Sequence, residues 1–150
     1  MTQPDRSRRR VVAALLGAGL VRVAAAADST LAFKELYDGG GILGFTLSAK
    51  TRSLAGRQVQ VLGYLAPPLK PDVRFFVLTR APVSLCPFCN SDADWPSDII
   101  VVYPRERADW GQDGLPVAVS GTLELGSKVD RDTGFVSLVR VVDATVVTVR

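Results

Sequence analysis

Cys86-Pro87-Phe88-Cys89-Asn90 holds the only two cysteines of a chain that has no histidine. Two thiols at this spacing can cycle as a disulfide, bind a metal ion or lock a loop. Without histidine there is no Ser-His or Cys-His nucleophile, no imidazole base and no imidazole metal ligand. The expectation is that this chain works through Cys86 and Cys89 or does no chemistry at all.

A structural zinc site takes four ligands. Cys-Pro-x-Cys followed by asparagine resembles one half of a zinc-ribbon or rubredoxin knuckle. In such a knuckle the residue after the second cysteine often takes the left-handed conformation that asparagine tolerates. Cys86 and Cys89 supply two thiolates. The remaining ligands must come from Asp92, Asp94 or Asp98, or from the same loop of a second copy, in which case a homodimer would hold four thiolates. Soft thiolates favour Zn²⁺ or Cu⁺. The alternative is thiol–disulfide exchange, with Cys86 attacking and Cys89 resolving. Cys-Pro-x-Cys also occurs in the thioredoxin class, but there the first cysteine sits at a helix N-terminus within a βαβ pattern, and that pattern is missing here. The third reading is a Cys86–Cys89 disulfide that only stiffens a loop, where so short a closed loop adds little through chain entropy. Aspartates in a loop before a strand are more often solvated or turn-forming. Trp95 and Trp110 are expected to cover one end of the fold rather than line a pocket. No glycine-rich phosphate loop is present, because Gly39-Gly40-Gly41 precedes a strand without the lysine-bearing pattern.

The elements that must position this loop read as strands. Gln58 to Leu65 alternates, with Val59, Val61 and Gly63 on one face, and Ala66-Pro67-Pro68 ends it. Arg74 to Thr79 and Asp98 to Tyr103 are short apolar runs, typical of buried strands, and they flank the cysteines. Leu115 to Leu125 alternates through Val117, Val119, Gly121 and Leu123. Phe135 to Val149 is long enough to bend or break near Asp143-Ala144. Ile42 to Leu47 is a further strand, and Asp130 to Gly134 reads as a hairpin turn. Ser29 to Asp38 reads as a short helix, capped by Ser29 and ended by the glycine run. The expected fold is all-β: a five- to six-stranded Greek-key barrel of the oligonucleotide/oligosaccharide-binding (OB) type with a short N-terminal helix. Gly63 and Gly121 mark the two tight bends such a barrel needs. The open face of such a barrel is a second place for a ligand.

The leader sets the compartment. Ser7-Arg8-Arg9-Arg10-Val11-Val12 matches the twin-arginine export pattern. The uncharged run Val11 to Val21 is shorter than the roughly 20 residues that span a bilayer. Ala25 and Ala27 form an A-x-A cleavage site. Residues 1–27 therefore read as a signal peptide, 28–41 as helix and linker, and 42–150 as the barrel domain. The expected location is periplasmic, with no membrane span left after cleavage. The whole chain is +3. Residues 1–27 carry five arginines against Asp5, a net of +4, so +3 less +4 leaves −1 for residues 28–150. A basic nucleic-acid surface is thereby excluded.

From Phe45 to about Val102 the chain resembles an uncharacterised group of small exported bacterial proteins. The resemblance rests on Leu54-Ala55-Gly56-Arg57-Gln58-Val59, Gly63-Tyr64-Leu65-Ala66-Pro67-Pro68, Phe76-Val77-Leu78 and Cys86-Pro87-Phe88-Cys89. Some of that group lie near ABC-type transporters for metals or envelope cargo. The resemblance implies a non-enzymatic binding or accessory role beside an envelope protein or transporter. Related groups carry a histidine near the cysteines, and this chain does not.

Overall fold

The computed structural model describes residues 29–41, 44–68, 73–83, 97–106 and 114–149. The strands are β1 (Ser29–Thr30), β2 (Tyr37–Gly41), β3 (Gly44–Leu47), β4 (Gln58–Leu65), β5 (Phe76–Thr79), β6 (Ile99–Pro104), β7 (Pro116–Val129) and β8 (Val136–Thr148), with one short helix, α1 (Ala49–Ser53). The fold is all-β. The hydrogen-bonded order β4-β5-β6-β8-β7 returns to β4, so five strands close a barrel. All these contacts are antiparallel except β6 with β8, which run parallel. This is the OB-type Greek-key ring expected from the sequence.

Period-two alternation decides which side chains fill the barrel. Val59, Val61 and Leu65 of β4 and Val117, Val119 and Leu123 of β7 are buried inside, with Leu78, Ile100 and Val141 from the other strands. The two glycine-bearing strands are each other's partners: Val59 stands opposite Gly121, and Gly63 opposite Val117. A Cβ on Gly63 would sit 2.7 Å from Leu78 Cγ and 2.8 Å from the Thr79 carbonyl oxygen. On Gly121 it would sit 2.6 Å from the Val142 carbonyl oxygen and 2.7 Å from Val141 Cγ1. β8 breaks where expected. Asp143 has φ 50°, the register against β7 shifts, and the Ala144 carbonyl accepts the Arg105 N–H at 2.9 Å. The 130–134 turn is fastened by Asp130, whose Oδ1 accepts the Thr133 N–H at 3.0 Å and the Thr133 hydroxyl at 2.8 Å.

The N-terminal segment departs from expectation. Ser29 to Asp38 is not a helix: β1 pairs in parallel with β4, a single 3-10 turn spans Phe33–Glu35, and β2 begins at Tyr37. Its backbone groups bond outward. Leu31 N–H donates to the Gln60 carbonyl and the Leu36 carbonyl accepts from Ser48 N–H, both at 2.9 Å. Leu31 and Leu36 are fully buried against the barrel, and that burial overrides local helix preference. The glycine run belongs to the β2–β3 hairpin, with Gly39 at φ 64°. The helix lies further on, where Ser48 Oγ caps α1 by accepting the Thr51 N–H at 3.0 Å.

Gly121→Ala should lower stability by about 2–3 kcal/mol, the usual cost of overpacking against backbone that cannot yield. Chemical denaturation should show it as a lower midpoint at unchanged m-value, with Ser120→Ala, on the outer face, close to neutral.

Candidate functional site

The cysteines belong to the connection between β5 and β6. Those strands pair from Phe76↔Val102 to Thr79↔Ile99. One step beyond, Arg80 N–H donates to the Asp98 carbonyl at 3.1 Å. The buried Thr79 hydroxyl donates to the Ala81 carbonyl at 2.8 Å and lies 3.2 Å from the Tyr64 carbonyl. The two feet of the connection are therefore clamped together at the end of an antiparallel pair. Cys86, Cys89, Asp92, Asp94 and Trp95 lie in residues 84–96, outside the described residues, as does Trp110. Asp98 is described: it sits exposed at the second foot, immediately before β6. Among the described residues no three Asp, Glu, Cys or His side chains gather as a metal site.

The β5–β6 hairpin is buried on both faces. Phe76, Leu78, Ile100 and Val102 point into the barrel. Val77, Ile99 and Val101 point outward into a second apolar cluster with Ala66 and Phe75. The Phe75 ring packs against Tyr103 at a centroid distance of 5.4 Å and stacks on Phe135 at 5.5 Å. In OB barrels this outer face commonly receives ligands; here it is occupied by the protein's own side chains. The continuous apolar runs of β5 and β6 were the sequence signal for this, since a strand with one wet face would alternate.

Tyr103 closes the cluster. Its hydroxyl donates to Asp130 Oδ2 at 3.1 Å. Burial, then the Asp130 charge and the hydrogen bond to it, push the phenol up to about 12.

A second feature, missed by sequence reasoning, opens on the other side of the loop's foot. A groove of about 430 Å³ is lined by Thr30, Leu31, Ala32, Phe33, Lys34, Leu62 and Arg80. It exists because the N-terminal segment lies against β4 as a strand and a turn. No periodicity in so short a segment signals that packing.

The barrel has a counterpart among solved structures. The chain is similar in fold to a DUF3299-family protein. That protein is from Pseudomonas aeruginosa PAO1, and its crystal structure matches with a TM-score of 0.54 at 15% identity, over 83% of this chain and 97% of that one. At this identity the likeness concerns the fold. No family model matches the sequence, and no curated protein matches it. Among the described residues no helix is long and apolar enough to cross a membrane.

The raised Tyr103 phenol has a consequence for pH. Between the ordinary tyrosine value of about 10 and the folded value of about 12, the unfolded chain has lost this proton and the folded one keeps it. Stability tied to Tyr103 is thus complete below pH 10 and falls as pH rises from 10 to 12. Phenolate absorbance should show a component titrating near pH 12, and Tyr103→Phe should remove it.

Proposed function

We propose that this chain is an exported, non-enzymatic binding or accessory module that presents Cys86 and Cys89 to bind a soft metal ion, Zn²⁺ or Cu⁺. The observation that carries the reading is the mounting of the cysteine connection. Its feet are tied by the Arg80–Asp98 backbone bond and the Thr79↔Ile99 pair, on a hairpin buried on both faces. A pair of thiols on such a base can be offered to a partner or an ion while the barrel stays fixed.

Two thiolates fit a soft ion. They leave coordination positions for Asp92 or Asp94, or for the same thiols of a second copy. The βαβ pattern of thioredoxin-class exchange is missing from the sequence around the cysteines, which favours metal binding. The twin-arginine pattern at Arg8-Arg9 places this role in the periplasm. An envelope transporter of metals is the partner class that the resemblance implies.

Native mass spectrometry of protein purified from the periplasm without reductant or chelator tests the reading. A bound metal with both thiols reduced is expected, and Cys86→Ser with Cys89→Ser should lose it. A metal-free protein with a Cys86–Cys89 disulfide that takes up no added Zn²⁺ or Cu⁺ after mild reduction would overturn it.

A further inference from the structure

The outward face of β4, β7 and β8 divides by register into a polar half and an apolar half. Gln58 stands opposite Thr122, and Gln60 opposite Ser120, which faces Thr145. Gln58 Nε2 donates to Thr122 Oγ1 at 3.0 Å. The next row is Leu62, Ala118 and Val147, one residue from each strand. Beyond it Tyr64 faces Pro116, whose carbonyl accepts the Val149 N–H at 2.9 Å. Leu62 is 56% exposed and Val147 60%, large values for aliphatic side chains in one cross-strand row.

The apolar row does not end at β4. Leu62 also lines the groove that holds Leu31, Phe33, Lys34 and Arg80. Lys34 and Arg80 are exposed, and among the described residues neither is in an ion pair. Glu35, the acid beside Lys34, is held by Lys50 at 2.7 Å. The groove lining therefore carries two positive charges. From Leu62 the row leads away across two strand spacings, about 10 Å, of uncharged aliphatic surface.

We infer that this groove, with the apolar row that leads out of it from Leu62, binds a single-chain anionic amphiphile, a long-chain carboxylate. Lys34 and Arg80 take the head group, and the hydrocarbon lies over Leu62, Ala118 and Val147. The groove volume lies within the range of about 300–1,000 Å³ that small-ligand sites show. The apolar row spans three residues, far short of the roughly 800 Å² per partner that a stable protein interface buries. A groove lined by two cations, with an apolar row leading out of it, suits one chain with one head group rather than a flat bilayer. Of these residues only Arg80 touches the cysteine connection, through its backbone bond to Asp98, and the inference stands apart from the metal reading.

Laurate, a twelve-carbon carboxylate used below its micelle concentration, is the probe, with the full chain in an isothermal titration. A single saturable site is expected. Lys34→Gln with Arg80→Gln should weaken it about tenfold, and more salt should weaken the native protein toward the same value. Leu62→Gln with Val147→Gln should weaken it by a similar factor. Dodecanol, which lacks the charge, should bind the native protein and the Lys34/Arg80 variant alike. All four side chains are exposed, and circular dichroism with a thermal melt verifies that the variants fold. The inference is overturned if laurate does not bind, if its binding ignores all four substitutions, or if the protein binds only phosphatidylglycerol vesicles and not monomeric laurate.

Discussion

The pairing of β4 with β7 is the constraint on which the rest of this molecule depends. It closes the ring, and it does so with two reciprocal valine–glycine pairs, Val59 with Gly121 and Val117 with Gly63. Each glycine sits where another strand's backbone comes closest: the Thr79 carbonyl near Gly63 and the Val142 carbonyl near Gly121. Any side chain at either position would hold β5 or β8 away. The bend at Gly63 lets the end of β4 turn onto β5, which carries the first foot of the cysteine connection. The bend at Gly121 lets β8 pass from β7 to β6, which carries the second.

With the ring closed, β5 and β6 are buried on both faces, and their outer face is filled by the protein's own side chains. Phe75, Tyr103 and Phe135 cover their outer surface, and the Tyr103–Asp130 bond ties that cover to the β7–β8 turn. Asp130 fastens that turn through Thr133 and takes the Tyr103 hydroxyl on its other oxygen, so turn geometry and outer packing share one carboxylate. The cysteine connection leaves from the end of the hairpin. There Arg80 belongs both to the clamp beneath the cysteine connection and to the lining of the groove.

Much of this was legible in residue order. Alternating valines gave the inward faces of β4 and β7, the unbroken apolar runs gave the doubly buried β5 and β6, and the isolated glycines gave the bends. Asp143 stood out as the break in a long valine-rich strand, and its positive φ bears that out. The N-terminal segment was misread because Leu31, Phe33 and Leu36 have a spacing that also suits a helix face; burial against β4 decides the matter, and that burial is tertiary. The short α1 left a small signal, Ser48 ahead of three helix-compatible residues. Of the candidate site, the sequence named the thiols by type and spacing. What it could not supply was the clamp of backbone bonds beneath them, because backbone pairing has no side-chain signature. The groove was equally silent, being made by two segments brought together only in the folded chain.

The closing pair also sets a kinetic character. Across that pair the partners lie from 52 positions apart (Tyr64 with Pro116) to 64 (Gln58 with Thr122) along the chain. Loop-closure entropy must be overcome before β4–β7 contacts reward it, which places this chain among slow-folding β topologies of high contact order. Until the ring shuts, two valine-rich strands stand with open edges, and such edges template pairing with other chains. Concentration during refolding, rather than native stability, is then the quantity that decides between barrel and aggregate.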